Sequence, residues 1–260
     1  MAPQKQAGYH HVTERLPLGD MTAGQMRVLA DLSEAYGDGT MRLTVEQNVL
    51  FKWVKKESLA PFYDRIAAAG LGAADANTLG DVVSCPGAES CRLAVTQSRG
   101  LGRGLTEYLS TRADLVAMIP ANKGAIKISG CPNGCGQHHI ASIGFQGSIR
   151  KLGDRAVPQY FVMVGGGVDG GGATFGRIAA KIPARRAPEA VDRLVDLYRA
   201  EHRDGERLFD FFRRADLAHV KRTLADLESL TEAEARPDDF IDLAEDKEFA
   251  PEVMEGECSA

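Results

Sequence analysis

Between Val12 and Gly70 the apolar residues fall by turns into alternating and helical patterns. Val12 to Leu16 predicts a short strand, after which Thr22 can cap a helix whose Met26, Leu29, Ala30 and Leu32 share one broad face until Gly37 stops it. In Met41 to Glu46 apolar and polar residues alternate, which predicts a strand with Met41, Leu43 and Val45 on a buried face and Arg42, Thr44 and Glu46 on the other. Val49 to Val54 predicts the next strand, and Leu59, Phe62, Tyr63 and Ile66 have helical spacing closed by Gly70. The order β-α-β-β-α over residues 9–72 describes a small α+β unit.

From Asp81 the pattern changes to strands separated by Gly- and Pro-rich loops: Asp81 to Ser84, Ala125 to Ser129, His139 to Phe145 and Gln159 to Val164. Helices are predicted over Gly104 to Leu109 and Arg112 to Ile119. Another starts at Pro188, with Val191, Leu194, Val195 and Tyr198 as its stripe, and two more cover Glu206 to Arg214 and Leu217 to Leu230. Beyond Glu232 the chain reads as an extended acidic tail pinned by Phe240, Ile241, Leu243, Phe249 and Val253. The expected organisation is α+β, with domains over 1–75 and 76–230, the second a mixed sheet with flanking helices, and a tail over 231–260.

Charge sharpens this division. Of 36 acidic and 31 basic residues, Asp226 to Ala260 holds 13 acidic and 2 basic, so the tail is strongly negative and the rest net positive. A basic body suits anions or an acidic protein partner, while a solvated mixed surface is the plainer reading. Met1 to Gly8 has no apolar run like that of a signal peptide, and the longest apolar stretch, Leu115 to Ile119, cannot span a bilayer. A cytoplasmic location without membrane contact is expected. Five cysteines in such a chain favour metal or redox chemistry over a disulfide framework.

Four of the five fall in two pairs, Cys85-Pro-Gly-Ala-Glu-Ser-Cys91 and Cys131-Pro-Asn-Gly-Cys135, with 39 residues between them. Four thiolates can enclose a cubane cluster, whose irons each need one soft outer ligand, and Pro- and Gly-bearing loops let backbone N–H groups turn toward its sulfurs. The five-residue gap is long for structural zinc, which prefers two to four. Spacing favours an iron–sulfur cluster and leaves a non-redox zinc module, or unligated buried cysteines, open.

Ile128 to Gly147, ISGCPNGCGQHHIASIGFQG, together with Ser84 to Ala94, SCPGAESCRLA, closely resembles the siroheme and 4Fe-4S signature of the nitrite/sulfite reductase family. Leu16 to Phe51 is similar to that family's ferredoxin-like half-domain. The resemblance covers roughly residues 9 to 215. It implies a ferredoxin-like half-domain followed by a siroheme/4Fe-4S domain, with Cys85, Cys91, Cys131 and Cys135 as cluster ligands and the Cys135 thiolate bridging to siroheme. It further implies Asn133 as a donor beside the cofactors, Arg42 and Lys123 at cation positions, ferredoxin or a similar carrier as electron donor, and nitrite or sulfite as substrate.

Two departures stand out. Arg42-Leu43-Thr44-Val45-Glu46-Gln47 has Glu46 where the family's first repeat has a second Arg, and Lys123-Gly124-Ala125 has Ala125 where it has a second Lys. A carboxylate is a poor substitute for a guanidinium at an anion site. The chain therefore resembles the second repeat of a double enzyme, completed by a first-repeat half or, as the alternative, by a second copy of itself acting as a homodimeric enzyme.

Lesser features carry plainer readings beside functional ones. Gly165 to Gly170 matches a dinucleotide fingerprint literally, but no helix opens there and no acidic residue follows at the required distance, so a flexible turn is expected. His138 and His139 are candidate haem ligands or proton donors, against a structural hydrogen-bonding role. Arg92, Arg99 and Arg103, and the run Arg177, Lys181, Arg185 and Arg186, are candidate contacts for an acidic ferredoxin or for siroheme carboxylates, against scattered solvated charge. No aromatic platform or motif points to nucleic acid. Cys258 has no evident partner.

Overall fold

The computed structural model describes residues 1–119, 121 and 124–250, which form two compact units divided between Asn77 and Thr78. In the first, β1 (Ala2–Pro3), β2 (Tyr9–Glu14), α1 (Ala23–Tyr36), β3 (Met41–Leu43), β4 (Val49–Lys55) and α2 (Leu59–Ala68) follow one another. The antiparallel sheet runs in the order β1-β2-β4-β3. Leu29 and Leu32 of α1 and Phe62 and Ile66 of α2 close on Val49, Phe51 and Val54. Thr22 and Gln25 form a reciprocal capping box at the start of α1, a device worth about 1 kcal/mol. Asn48, fully buried, accepts the Leu16 N–H at 2.9 Å and fixes the turn before β4.

The expected burial of Met41, Leu43 and Val45 is corrected: these are 36%, 79% and 65% exposed. β3 ends at Leu43 and is the sheet's edge, and the chain turns through Thr44 to Gln47 instead of continuing. Alternation identifies a strand face but not what covers it.

The second unit contains β5 (Val83–Ser84), α3 (Ser98–Ser110), α4 (Ala113–Met118), β6 (Ile126–Ser129), β7 (Ile143–Leu152), β8 (Arg155–Val164), β9 (Gly167–Asp169) and β10 (Gly172–Thr174). It continues with β11 (Arg177–Pro183), α5 (Ala187–Glu201), α6 (Leu208–Arg214) and α7 (Leu217–Glu228). Its sheet is mixed, in the order β11-β8-β7-β6-β5, with β5, β6 and β7 parallel and β7, β8 and β11 antiparallel. α3 packs on β5 and β6 and against α5, while α7 packs on β11. The strand expected over His139 to Phe145 begins only at Ile143, because His138–Ile140 forms a 3-10 turn. α3 starts six residues earlier than Gly104, and β11 was not anticipated. No helix among the described residues is long and apolar enough to cross a membrane.

Residues 231–250 lie on this second unit. Phe240 joins Val157 and Leu230 in a small core, and Arg155 stacks over its ring at 3.4 Å. The run Arg177 to Arg186 is largely committed to structure. Arg177 donates to the carbonyls of Phe212 and Ala215, Lys181 to that of Ile149, and Arg185 to those of Ile241, Asp242 and Glu245. Arg186 is buried against Asp239.

Candidate cofactor site

The two cysteine pairs meet because their loops leave adjacent parallel strands at the same end. Ser84 of β5 is in register with Ile128 of β6, and the Cys85 N–H donates to the Ile128 carbonyl at 3.1 Å. Cys85 therefore follows the end of β5 directly, and Cys131 stands two residues past the end of β6. The carboxyl ends of parallel strands are where open sheets of this kind place ligands.

Glycines let the loops interlock. A Cβ on Gly130 would lie 2.8 Å from the Thr96 carbonyl and 3.1 Å from the Gly87 Cα, and one on Gly147 would lie 2.3 Å from the Gly130 carbonyl. At Gly136 it would fall 1.8 Å from the Ile128 carbonyl oxygen. Gly87, at φ +62°, could carry no side chain without meeting Ser98.

Cys85 and Cys131 are buried, Cys91 is half-buried and Cys135 is exposed. Burial pushes the Cys131 thiol up, an Asn133 backbone N–H pulls it down, and the nearby Cys85, Cys135 and Cys91 raise it again. The other three sulfurs therefore sit within electrostatic reach of Cys131, an arrangement that is costly for bare thiolates and suited to a cationic iron core. Among the described residues no three His, Cys, Asp or Glu side chains are grouped to hold a single metal ion. Gly130 N–H and Ser98 Oγ each lie 3.2 Å from Cys85 Sγ. Such hydrogen bonds to sulfur stabilise the thiolate and tune a cluster's potential. The donor set and its glycine cradle fit a 4Fe-4S cluster.

Beside Cys135 lies a polar group that the sequence pattern did not reveal. Lys127 is only 6% exposed and donates to Gln137 Oε1 at 2.8 Å. His138 Nε2 is 3.1 Å from Gln146 Oε1, and Ser129 Oγ accepts the Gly136 N–H. Gln137 has left-handed backbone, φ +60°, a conformation non-glycine residues hold only when their surroundings enforce it. The available signal was a lysine inside the otherwise buried run Ile126-Lys127-Ile128-Ser129. It stands two residues beyond Ala125, the position at which the resembled first repeat carries its second lysine.

Asn133 is exposed, as is Arg42 on β3 of the first unit. Lys123 and Cys258 fall outside the described residues. Arg99 and Arg103 are both paired with Glu89, at 3.0 and 3.3 Å. His139 stacks on Phe175 and tilts against His138. Gly165 to Gly170 opens no helix, as the mismatch with a dinucleotide fingerprint predicts, but the turn expected there is corrected: Gly167–Asp169 is strand β9, paired with β10.

Burial, with a smaller contribution from His139, lowers the His138 pKa from its ordinary value near 6.5 to about 4. Between those values the unfolded chain binds the extra proton, so His138 should make stability fall as pH drops from about 6.5 to about 4. His138→Gln, which does not titrate, should flatten that part of a chemical-denaturation profile. An unchanged slope in the variant would refute the assignment.

A family model described as the nitrite/sulfite reductase ferredoxin-like half domain matches residues 2–69, and one described as the nitrite and sulphite reductase 4Fe-4S domain matches residues 75–231. Among similar proteins, the chloroplastic ferredoxin–nitrite reductase of Oryza sativa subsp. japonica is 31% identical over 208 residues, 78% of this chain and 34% of that protein. A sulfite reductase [ferredoxin] of Mycolicibacterium paratuberculosis is 28% identical over 76% of this chain and 36% of its own length. The chain thus spans about a third of the length of the curated relatives it matches. The Mycobacterium tuberculosis NirA protein superposes with TM-score 0.69 at 23% identity, covering 84% of this chain and 42% of that one. Dissimilatory sulfite reductase I gives 0.68 at 14% identity over 96% of this chain and 74% of that one. These likenesses establish the shared fold.

Proposed function

This chain belongs to the nitrite/sulfite reductase family, whose cofactors are a 4Fe-4S cluster and siroheme, and on that footing we propose that it is the cluster-carrying redox half of a reductase acting on nitrite or sulfite. The observation that carries this reading is the meeting of Cys85, Cys91, Cys131 and Cys135 at the ends of β5 and β6. When bound, the cofactor pair supplies stepwise electron transfer to a small oxyanion whose full reduction takes six electrons. Cys85 and Cys131, buried, anchor the cluster. Exposed Cys135 can offer its sulfur to a second cofactor as well, and Asn133, exposed two residues away, is read as a hydrogen-bond donor to the cofactors. Gly130 and Ser98 hold the Cys85 sulfur.

Arg42 and Lys123 are the cations assigned to siroheme carboxylates, with Glu46 and Ala125 marking where neighbours are missing. A first-repeat half would supply those missing cations, and the uncovered apolar residues Met41, Leu43 and Val45 of the first unit are consistent with a protein partner. Electrons would come from ferredoxin or a similar carrier, as the names of the relatives suggest.

Analysis of anaerobically purified protein tests this directly. Four irons and four sulfides per chain, with visible absorption, are expected. Stoichiometric zinc without iron or sulfide would replace the redox reading with a structural one.

A further inference from the structure

The residues that follow α7 fold back across the cluster loop. Asp239 is buried on Arg186, and the Phe249 N–H donates to the Phe240 carbonyl at 2.7 Å, so residues 240–249 close into a loop of their own. Its inner residue is Asp242, only 1% exposed. Asp242 Oδ2 accepts the Gln97 N–H at 2.8 Å, and its Oδ1 accepts the Leu243 N–H at 2.8 Å. Gln97 is the N-cap residue of α3 and gives that helix no side-chain cap. The carboxylate thus satisfies the N-cap residue's own N–H, the bond an N3 Glu or Gln makes in a capping box, at the helix end where the dipole favours negative charge.

This position is linked to the cluster loop through short covalent and hydrogen-bonded steps. Ser98, next to Gln97, donates to the Cys85 carbonyl at 2.9 Å and touches Cys85 Sγ. On the other side, a cavity of about 590 Å³ lies between the loop and the cysteine segment, with Cys91, Arg92 and Gln97 on one wall and Asp242 and Lys247 on the other. The loop is seated closely enough that α3 needs a glycine there: a Cβ on Gly100 would lie 2.4 Å from the Leu243 carbonyl oxygen. Gln97 Nε2 to Glu245 and Arg185 to three backbone carbonyls complete the attachment.

We propose that Asp242 is a positioning residue for the cluster-ligand loop, and that residues 239–250 form a strap which fixes the Cys85–Ser98 segment and closes the Cys91 side of the site to solvent. The effect on a bound cluster rests on the function proposed above; the closure itself does not. Losing the carboxylate frees the Gln97 amide, lets the strap lift, and opens the half-buried Cys91 to reagents while leaving exposed Cys135 unaffected.

The decisive experiment uses the full-length chain without cluster and follows iodoacetamide labelling of each cysteine by mass spectrometry. Asp242→Ala and Gly100→Ala should each raise the Cys91 labelling rate at least tenfold with the Cys135 rate unchanged. Asp242→Asn, which keeps one acceptor oxygen, should restore most of the protection. Equal Cys91 rates in wild type and both folded variants would overturn the proposal. Hydrogen exchange on the wild type provides a check independent of mutant folding: the Gln97, Leu243 and Phe249 amides should be protected together, and free exchange at Leu243 and Phe249 would equally overturn it. In chain reconstituted with iron and sulfide, Asp242→Ala should shift the cluster potential upward and Asp242→Asn less so. A chain that takes up no iron fails the proposed function but leaves the labelling and exchange results to judge the strap.

Discussion

Reconstituted with iron, sulfide and siroheme and supplied with a chemical reductant, the isolated chain is expected to give no sustained reduction of nitrite or sulfite. The reason is a shortage of cations. Siroheme brings several carboxylates and the proposed substrate is an oxyanion, and unpaired buried charge costs several kcal/mol. In the first unit Arg42 is exposed on the edge strand, and Glu46 stands where the first repeat that the sequence resembles has an arginine. In the second, Arg177, Arg185 and Arg186 hold the C-terminal elements in place, and Lys127 donates to Gln137. Removing one electrostatic donor from a reaction site typically costs about 10²–10³ in rate. Two missing cations put turnover below detection. Adding a first-repeat half should restore it. Steady turnover by the chain alone would refute this account and favour a homodimeric single-copy enzyme.

The same cations show what a single sequence can reveal. Helix and strand order in the first unit was legible because its amphipathic patterns are strong and its signals are local: a Thr22 cap, a Gly37 stop, a Gly70 stop. The convergence of the two cysteine loops was legible because four thiols in Pro- and Gly-bearing loops are rare in combination. What stayed hidden depends on contacts distant in sequence. Gly100, Gly102 and Gly104 lower helix propensity, so the start of α3 at Ser98 could not be seen. Gly100 is needed because the Leu243 backbone, far along the chain, presses on it. Arg177 to Lys181 reads as a basic patch in one dimension, yet it is β11, an edge strand whose charged side chains turn to carbonyls supplied by other elements. Lys127 reads in one dimension as an outward-facing residue of an apolar strand, and only the assembled sheet buries it. Leu43 and Val45 show the reverse error, apolar residues whose covering is not supplied within their own unit.

Arg186→Ala is expected to destabilise the second unit by about 3–5 kcal/mol, the usual cost of stranding one member of a buried ion pair. Arg186 and Asp239 are only 5% and 2% exposed. The guanidinium donates through two nitrogens to the two carboxylate oxygens and through its third to the carbonyls of Leu227, at 3.0 Å, and Ser229, at 2.8 Å. One side chain therefore ties the start of α5, the end of α7 and the root of the strap together. Its removal leaves Asp239 charged with only the Arg236 N–H donating to it, and takes a donor from two carbonyls. Against a total stability of about 5–15 kcal/mol, such a loss is enough to leave part of the population unfolded at 37 °C. Arg186→Lys should rescue little, since an ammonium cannot reproduce the planar fork. The comparison is Arg193, paired with Asp226 and Glu189 on an exposed face. There, Arg193→Ala should cost no more than about 1 kcal/mol. Urea unfolding of both variants by circular dichroism checks the contrast. Midpoints that fall equally, or a larger loss for Arg193→Ala, would show that the buried pair is not what holds the C-terminal segment to the sheet.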